Sequence, residues 1–276
     1  MTTLAQALTQ AAALGVDRLD AQLLLLAALG RAGDDRAWLL AHDTDALPLD
    51  ARAAYERHLA RRLAGEPMAY LLGEKEFHGL GLAVDARVLV PRPDTETLVD
   101  WALACLAHRA TPRVLDLGTG SGAIALALSN ARPDAQVTAV DASADALQVA
   151  EGNARRLGLA VRFVQADWLD GAATGYDVIA SNPPYIALGD PHLAALGHEP
   201  RSALVSGPDG LDDIRRIVAA APGHLQDGGW LLLEHGHDQA AAVRALLKAA
   251  NFAEVQSRND LAGIARCSGG IWRAVK

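Results

Sequence analysis

Cysteine is nearly absent from this chain: Cys105 and Cys267 are the two in 276 residues. They lie far apart and match no metal-ligand spacing, which excludes a disulfide framework and a thiolate zinc site. A reducing compartment suits such a chain, and a cytoplasmic protein is expected. Cys105 falls inside an apolar helical run and reads as a small core residue. Long apolar runs are also missing. The longest early one, Leu23 to Leu29, is far shorter than the roughly 20 residues of a membrane span. The start, Met1-Thr2-Thr3-Leu4, lacks the basic region of a secretory leader, so no membrane partner is expected. Positive charge is in deficit, with 25 Lys and Arg against 33 Asp and Glu, a net charge of -8. Such a molecule repels polyanions, whereas proteins that track nucleic acid carry a basic stripe; direct nucleic-acid binding is therefore not expected. There are no internal repeats and no biased segments beyond general alanine richness. What remains is an ordinary globular balance of 51% hydrophobic and 21% charged residues. The length suits one large domain or a large one with a small one.

Residues 1–72 read as all-helical. Leu19, Leu23, Leu26 and Leu29 recur at helical spacing, and Gly15, Gly30, Gly33 and Leu47-Pro48 divide the stretch into four or five short helices. Between 73 and 92 the pattern changes to a hairpin-like linker. Phe77 to Val84 and Val88-Leu89-Val90 read there as short strands. Pro91-Arg92-Pro93 stops the chain, and Asp94-Thr95-Glu96 opens a helix to about His108. From 93 to 276 strands and helices alternate. The expected strands are Arg113–Leu117, Gln136–Val140, Val161–Val164, Tyr176–Ala180, Trp230–Leu233, Ala253–Ser257 and Ile264–Trp272. That alternation predicts an α/β fold: a seven-stranded, mostly parallel sheet with helices on both faces, its last two strands an antiparallel hairpin.

The first of these strands runs through Asp116 into Gly118-Thr119-Gly120-Ser121-Gly122 and then a helix from Ala123 to Asn130. Glycines let a backbone approach a ligand closely, and the helix start offers free N–H groups. The motif alone does not separate dinucleotide enzymes from methyltransferases. Asp116 two residues before the first glycine, and Gly-x-Gly-x-Gly spacing in place of Gly-x-Gly-x-x-Gly, favour the second. Asp141, ending the second strand, suits the two ribose hydroxyls of a bound nucleoside; it equally suits a cap on the helix starting near Ser143. After the third strand, Asp167 can accept from an adenine amino group and Trp168 can stack on its ring, with core packing the other reading of the indole.

The fourth strand delivers Asn182-Pro183-Pro184-Tyr185 to the carboxyl edge of the sheet, where open α/β folds bind ligands. Prolines donate no hydrogen bond and fix the backbone, leaving nearby carbonyls free to accept. An amide or aromatic amine is a weak nucleophile because its lone pair is delocalised. If the Asn182 side-chain carbonyl and the Pro183 backbone carbonyl take its two N–H bonds, the nitrogen is aimed at a methyl donor and its developing charge is stabilised. Tyr185 can cover the planar target. As a turn, the four residues could also be structural only.

Beyond these motifs the chain resembles the bacterial peptide chain release factor glutamine methyltransferases (the HemK/PrmC family). The resemblance covers nearly all of it: Gly65-Glu66-Pro67 with Tyr70-Leu71 and Gly73, Glu76-Phe77 with Gly79-Leu80, Pro91 to Glu96, Asp116 to Gly122, and Asn182 to Tyr185. Glu199-Pro200, Asp209-Gly210-Leu211, Glu234-His235-Gly236 and Asp260 to Gly263 complete it. It implies a class I (Rossmann-like) methyltransferase domain after a small helical domain. S-adenosylmethionine would be the methyl donor and S-adenosylhomocysteine the product. The cofactor would meet Gly118, Thr119, Gly120, Ser121 and Gly122, with Asp141, Trp168 and Asn182, while Asn182, Pro183, Pro184 and Tyr185 would hold the substrate. That substrate would be the glutamine of the Gly-Gly-Gln motif in class 1 release factors, methylated at N5. The helical domain would help dock the release factor.

Asn-Pro-Pro-Tyr by itself also fits adenine-N6 methylation of DNA or RNA, which the acidity and the lack of a recognition domain oppose. A binding protein on an inactive fold is the third reading, opposed by the intact Asn182 and glycine loop. His235 and His237 read as turn or surface residues, with no carboxylate-histidine spacing to suggest a metal. Arg61-Arg62 and Arg215-Arg216 read as solvated helix faces. Arg92 sits near the expected cofactor mouth, and the loop from Pro184 to Glu199, with Asp190-Pro191-His192, is expected to be mobile.

Overall fold

A computed structural model describes residues 2–274; Met1, part of the N-terminal start read above, and residues 275–276, the last two of the expected sheet domain, lie outside the described residues. The chain divides into two compact units, residues 1–74 and 75–276.

Five helices build the first unit: α1 (Leu4–Ala13), α2 (Arg18–Ala28), α3 (Arg36–Ala41), α4 (Leu49–Leu63) and α5 (Met68–Leu72). Each start has a local cause. Thr3 and Gln6 form a capping box on α1, Asp17 accepts the Leu19 N–H at 2.8 Å ahead of α2, and prolines 48 and 67 precede α4 and α5. Gly73, in the left-handed region, ends α5. Apolar residues four apart, such as Ala7 and Ala11 or Ala51, Tyr55 and Leu59, turn one face of each helix into a core with Leu24, Leu25, Leu26 and Leu39.

The second unit opens on a two-stranded sheet, β1 (Glu74–Phe77) and β2 (Leu80–Ala83). The expected third short strand, Val88-Leu89-Val90, does not form. Val88 closes a turn onto the Asp85 carbonyl, and the Val90 N–H goes to the Glu199 carboxylate at 3.0 Å, so neither N–H joins a strand ladder. Buried Asn153 anchors the hairpin: its side chain exchanges hydrogen bonds with the Ala83 backbone and donates to the Ser121 carbonyl at 2.9 Å. The hairpin is thereby tied to the glycine loop.

After a short 3-10 turn, Pro93–Thr95, the chain runs through α6 (Glu96–Leu106), β3 (Arg113–Leu117), α7 (Ala123–Ala131), β4 (Gln136–Asp141), α8 (Ala144–Leu157), β5 (Arg162–Gln165) and β6 (Tyr176–Ser181). Then come α9 (Asp212–Ala220), β7 (Leu225–Glu234), α10 (Ala240–Ala249), β8 (Ala253–Asn259) and β9 (Ala265–Ile271). The sheet order is β5-β4-β3-β6-β7-β9-β8, with β3 parallel to β4 and β6, β7 parallel to β6, and β9 antiparallel to β7 and β8. This is the seven-stranded, two-faced α/β sheet expected from the alternation. Along its strands side chains alternate between two cores: Val114, Val178, Ala180 and Leu232 pack with α6 and α7, while Leu115, Leu117, Ile179, Leu231 and Leu233 pack with α9 and α10. Burial on both sides explains the near-continuous apolar runs. The chain leaves β3 toward β4 on one side and enters β6 on the other. That makes the carboxyl ends of β3 and β6 the switch point where a crevice opens.

Candidate active site

At that switch point lies a cleft of about 300 Å³. Gly118, Gly120, Asp141, Asp167, Trp168, Asn182 and Pro184 line it, so residues from the ends of four strands meet as the sequence reading expects. Thr119, Ser121, Gly122, Pro183 and Tyr185 are not among the residues that line it. The hairpin's continuation, Arg87-Val88-Leu89, forms part of the rim, as do Pro200, Ser202 and Ala203.

Asp116 explains how the glycine loop keeps its shape. It is fully buried on β3, and its Oδ2 accepts from the Thr119 hydroxyl at 2.6 Å and from the Ala125 N–H at 3.1 Å. Because Gly122, at the N-cap of α7, has no side chain to offer, Asp116 supplies that cap from inside the sheet. Burial pushes its carboxyl up to about 7, against the Thr119 and Ala125 hydrogen bonds. Gly118 and Gly120 both have positive φ, and a Cβ on Gly120 would project into open space, whereas one on Gly118 would lie 3.2 Å from the Trp168 ring. Trp168 thus lies against the first glycine.

Asp141 ends β4 with one oxygen accepting the Gly120 N–H and the other the Ser143 N–H, both at 2.9 Å. The cap on α8 is Ser143, whose hydroxyl accepts from Ala146. A carboxylate has about four acceptor directions, so two on Asp141 remain for a ligand. Trp168, at φ 52°, is held by a residue the sequence reading missed: its indole N–H donates to Asp213 at 3.0 Å, and Asp213 in turn accepts from the Ser206 hydroxyl at 2.7 Å. Asp167 accepts from Arg216 at 2.7 Å. Arg216 is therefore a cleft residue as well as part of a solvated helix face, and Arg215 pairs with Asp209 and Asp212. In the first unit Arg61 pairs with Glu66 and Arg62 with Asp20.

Ser181 closes the end of β6 against β3 by donating to the Leu117 carbonyl at 2.7 Å. Asn182 follows. Its Nδ2–H donates to the Thr95 hydroxyl at 3.1 Å, while its Oδ1 is buried and has no partner among the described residues. A shielded acceptor of this kind costs roughly 1–3 kcal/mol unless something donates to it. The Tyr185 hydroxyl reaches Glu234 at 3.4 Å, and its backbone carbonyl accepts from Gln239 at 3.0 Å. A Cβ at Gly210 would sit 2.2 Å from that carbonyl, which is why glycine stands there in Asp209-Gly210-Leu211. Burial pushes the Tyr185 phenol well above its usual range, so it stays neutral.

Arg92 pairs with the buried Glu199 at 2.5 Å, fastening the segment before α6 to the far end of the Pro184–Glu199 loop. That loop holds a short 3-10 helix, Pro191–Leu196, capped by Asp190. His237 is exposed as expected, but His235 is not a surface residue: it is fully buried. Its Nδ1 lies 2.9 Å from the Gly236 carbonyl and its Nε2 2.8 Å from the Ser268 hydroxyl, and burial lowers its pKa. The expectation failed because the Ser268 hydroxyl on β9 and the Gly236 carbonyl satisfy a buried imidazole that polarity alone would place outside. Of the residues the sequence reading missed, Glu234 lay in a recognisable segment without a role; Asp213 and Asn153 carried no signal.

Residues 2–73 match the PrmC N-terminal domain and residues 96–198 the methyltransferase small domain. The release factor glutamine methyltransferase of Bordetella pertussis is 56% identical over 93% of this chain and 95% of its own, and that of Burkholderia pseudomallei 51% identical over 92% of each. Among solved structures, a methyltransferase from Pyrococcus furiosus shares the fold at a TM-score of 0.54 and 20% identity, over 80% of this chain and all of its own. With its glycine loop and its Asn-Pro-Pro-Tyr segment on one cleft, the chain belongs to the release factor glutamine methyltransferase family.

Proposed function

We propose that this protein transfers a methyl group from S-adenosylmethionine to N5 of the glutamine in the Gly-Gly-Gln motif of class 1 release factors, in the cytoplasm. The observation that carries the proposal is the buried, unpartnered Oδ1 of Asn182 at the cleft. The residues present fit the cofactor. Asp141 would take the ribose hydroxyls, Trp168 and Asp167 the adenine, and the glycine loop the remainder. When bound, the cofactor supplies an electrophilic methyl group.

This chain's own part is orientation and electrostatics. Asn182 Oδ1 would accept one N–H of the glutamine amide and the Pro183 carbonyl the other, so the amide plane is held with the face carrying the nitrogen lone pair toward the donor. Positive charge developing on the nitrogen during methyl transfer would be stabilised by both carbonyl dipoles. The proton leaves the cationic nitrogen to water, so no strong base is required. Pro184 fixes the backbone, and Tyr185, its hydroxyl engaged by Glu234, offers its ring as cover for the planar amide. Labelled adenosylmethionine tests the assignment, with three acceptors: a release factor, its variant lacking the motif glutamine, and duplex DNA. Label should enter the first alone. Equal labelling of both release factors would overturn the assignment, and label on DNA would support adenine-N6 chemistry instead.

A further inference from the structure

The side chain of Gln239 joins both ends of the long β6–α9 connection, residues 182–211, to the short turn between β7 and α10. Gln239 stands at the N-cap of α10, yet its side chain makes no capping bond to that helix. Its Oε1 accepts from the Gly236 N–H at 2.8 Å, and its Nε2 donates to the carbonyls of Tyr185 at 3.0 Å and Asp209 at 3.2 Å. Each partner is a backbone group with a single role, since an N–H only donates and a carbonyl only accepts. The two ends of this amide are therefore unambiguous. Two glycines leave room for it. A Cβ on Gly210 would come within 2.7 Å of Nε2, and one on Gly236 within 3.0 Å of Oε1. All three bonds leave the helix that carries the glutamine and hold other backbone instead.

The end at Tyr185 belongs to the span that meets the cleft. Asn182 and Pro184 line that cleft, and Tyr185 follows directly. Ser181 fixes the start of the span on β3. Neither proline has an N–H with which to anchor the middle. The far end hangs on the peptide group between Tyr185 and Ile186. Its N–H goes to the Leu204 carbonyl at 2.8 Å, and its carbonyl is the one that Gln239 holds. We infer that Gln239, which does not itself line the cleft, is a positioning residue for methyl transfer. By holding the Tyr185 carbonyl it keeps Pro183, Pro184 and Tyr185 in place against the cleft. This role rests on the reading of Asn-Pro-Pro-Tyr as the segment that holds the substrate.

The test compares two variants of this half-buried side chain. Gln239→Met keeps the length and removes all three bonds. Gln239→Glu keeps an acceptor for the Gly236 N–H but sets a carboxylate oxygen against the two carbonyls. If Gln239 served only the turn before α10, the Glu variant would behave like the parent. A group misplaced by about 1 Å can cost 10²-fold in rate, and here one anchor of several is released. Gln239→Met should therefore lower kcat on a release factor by about tenfold, and Gln239→Glu by at least as much. KM and the dissociation constant for adenosylmethionine should stay within about threefold. Parental kcat in either variant would overturn the role. A readout without turnover separates it from the assigned substrate. Tyr185-Ile186 is the only Tyr-Ile pair in the sequence, so ¹³C-carbonyl tyrosine with ¹⁵N-isoleucine gives one NMR cross-peak from that peptide group. In Gln239→Met its carbonyl resonance should move upfield, as a carbonyl does on losing a donor. An unmoved resonance refutes the role even if glutamine methylation is confirmed. A moved resonance with lowered kcat supports it even if the methylated substrate proves to be another amide.

Discussion

At the residue scale the cleft is lined by acceptors and an indole ring, held by hydrogen bonds to neighbouring side chains. Asn182 donates its nitrogen to Thr95 and keeps an unpartnered, buried oxygen. Removing that oxygen in Asn182→Ala should cut kcat by about 10²–10³, the cost of losing one preorganised dipole, while cofactor affinity weakens only moderately; single-turnover kinetics at saturating cofactor separate the two. Trp168 depends on Asp213 in the same way. Asp213→Ala should raise the adenosylmethionine dissociation constant about five- to tenfold, the scale of one ordinary net hydrogen bond, with kcat at saturation little changed. Titration calorimetry reads this, and an unchanged constant would show the indole to be held by packing alone. Asn182 and Trp168 could be singled out in the sequence, since each stands directly after a strand in a parallel sheet. Thr95 and Asp213 could not, because a hydroxyl or carboxylate serving a partner 87 or 45 residues away has no local pattern.

At the element scale, the parallel strands carry a polar residue at or next to their carboxyl ends, and two of these are buried carboxyls. Asp116 on β3 and Glu234 on β7 are both pushed up to about 7 by burial, from ordinary values of 3.8 and 4.5. Asp141 raises Asp116 further; around Glu234, Asp94 raises and Arg266, Thr95 and Tyr185 lower. A carboxyl with a raised folded value binds its proton more tightly in the folded state. Its contribution is greatest below the unfolded value and is lost as pH rises toward 7. Buried His235 and half-buried His58, whose values are lowered, act in the opposite sense below about 6.5. The clean measurement is therefore a difference. Asp116→Asn and Glu234→Gln should each gain on the parent in thermal midpoint as pH goes from 5 to 7.5, by on the order of 5 °C. A constant offset across that range would mean that neither carboxyl titrates there. The strands and helices themselves were readable from apolar periodicity and caps. Val88-Leu89-Val90 misled because β-branched residues also suit an extended segment whose N–H groups go to a turn and to a side chain.

For the whole molecule, each unit has its own core, and the acidic chain has no helix among the described residues long and apolar enough to cross a membrane. All the cleft residues lie in the second unit. A fragment of residues 75–276 should therefore bind adenosylmethionine within about threefold of the full chain, and if the helical unit docks the release factor, kcat/KM on the intact factor should fall at least about tenfold. Equal kcat/KM for fragment and full chain would remove the docking role. Sequence motifs point to the glycine loop and the Asn-Pro-Pro-Tyr segment that meet at the cleft, but not to the identity of an amide, since four residues at a strand end suit any planar nitrogen. The protein-scale context narrows it: the family matches span both the helical and the sheet regions. Peptide mapping by mass spectrometry of a release factor after turnover tests that narrowing most directly. One methyl group on the side-chain nitrogen of the Gly-Gly-Gln glutamine, and none when Asn182 is replaced by alanine, is the predicted result; a methyl group on any other residue would contradict it.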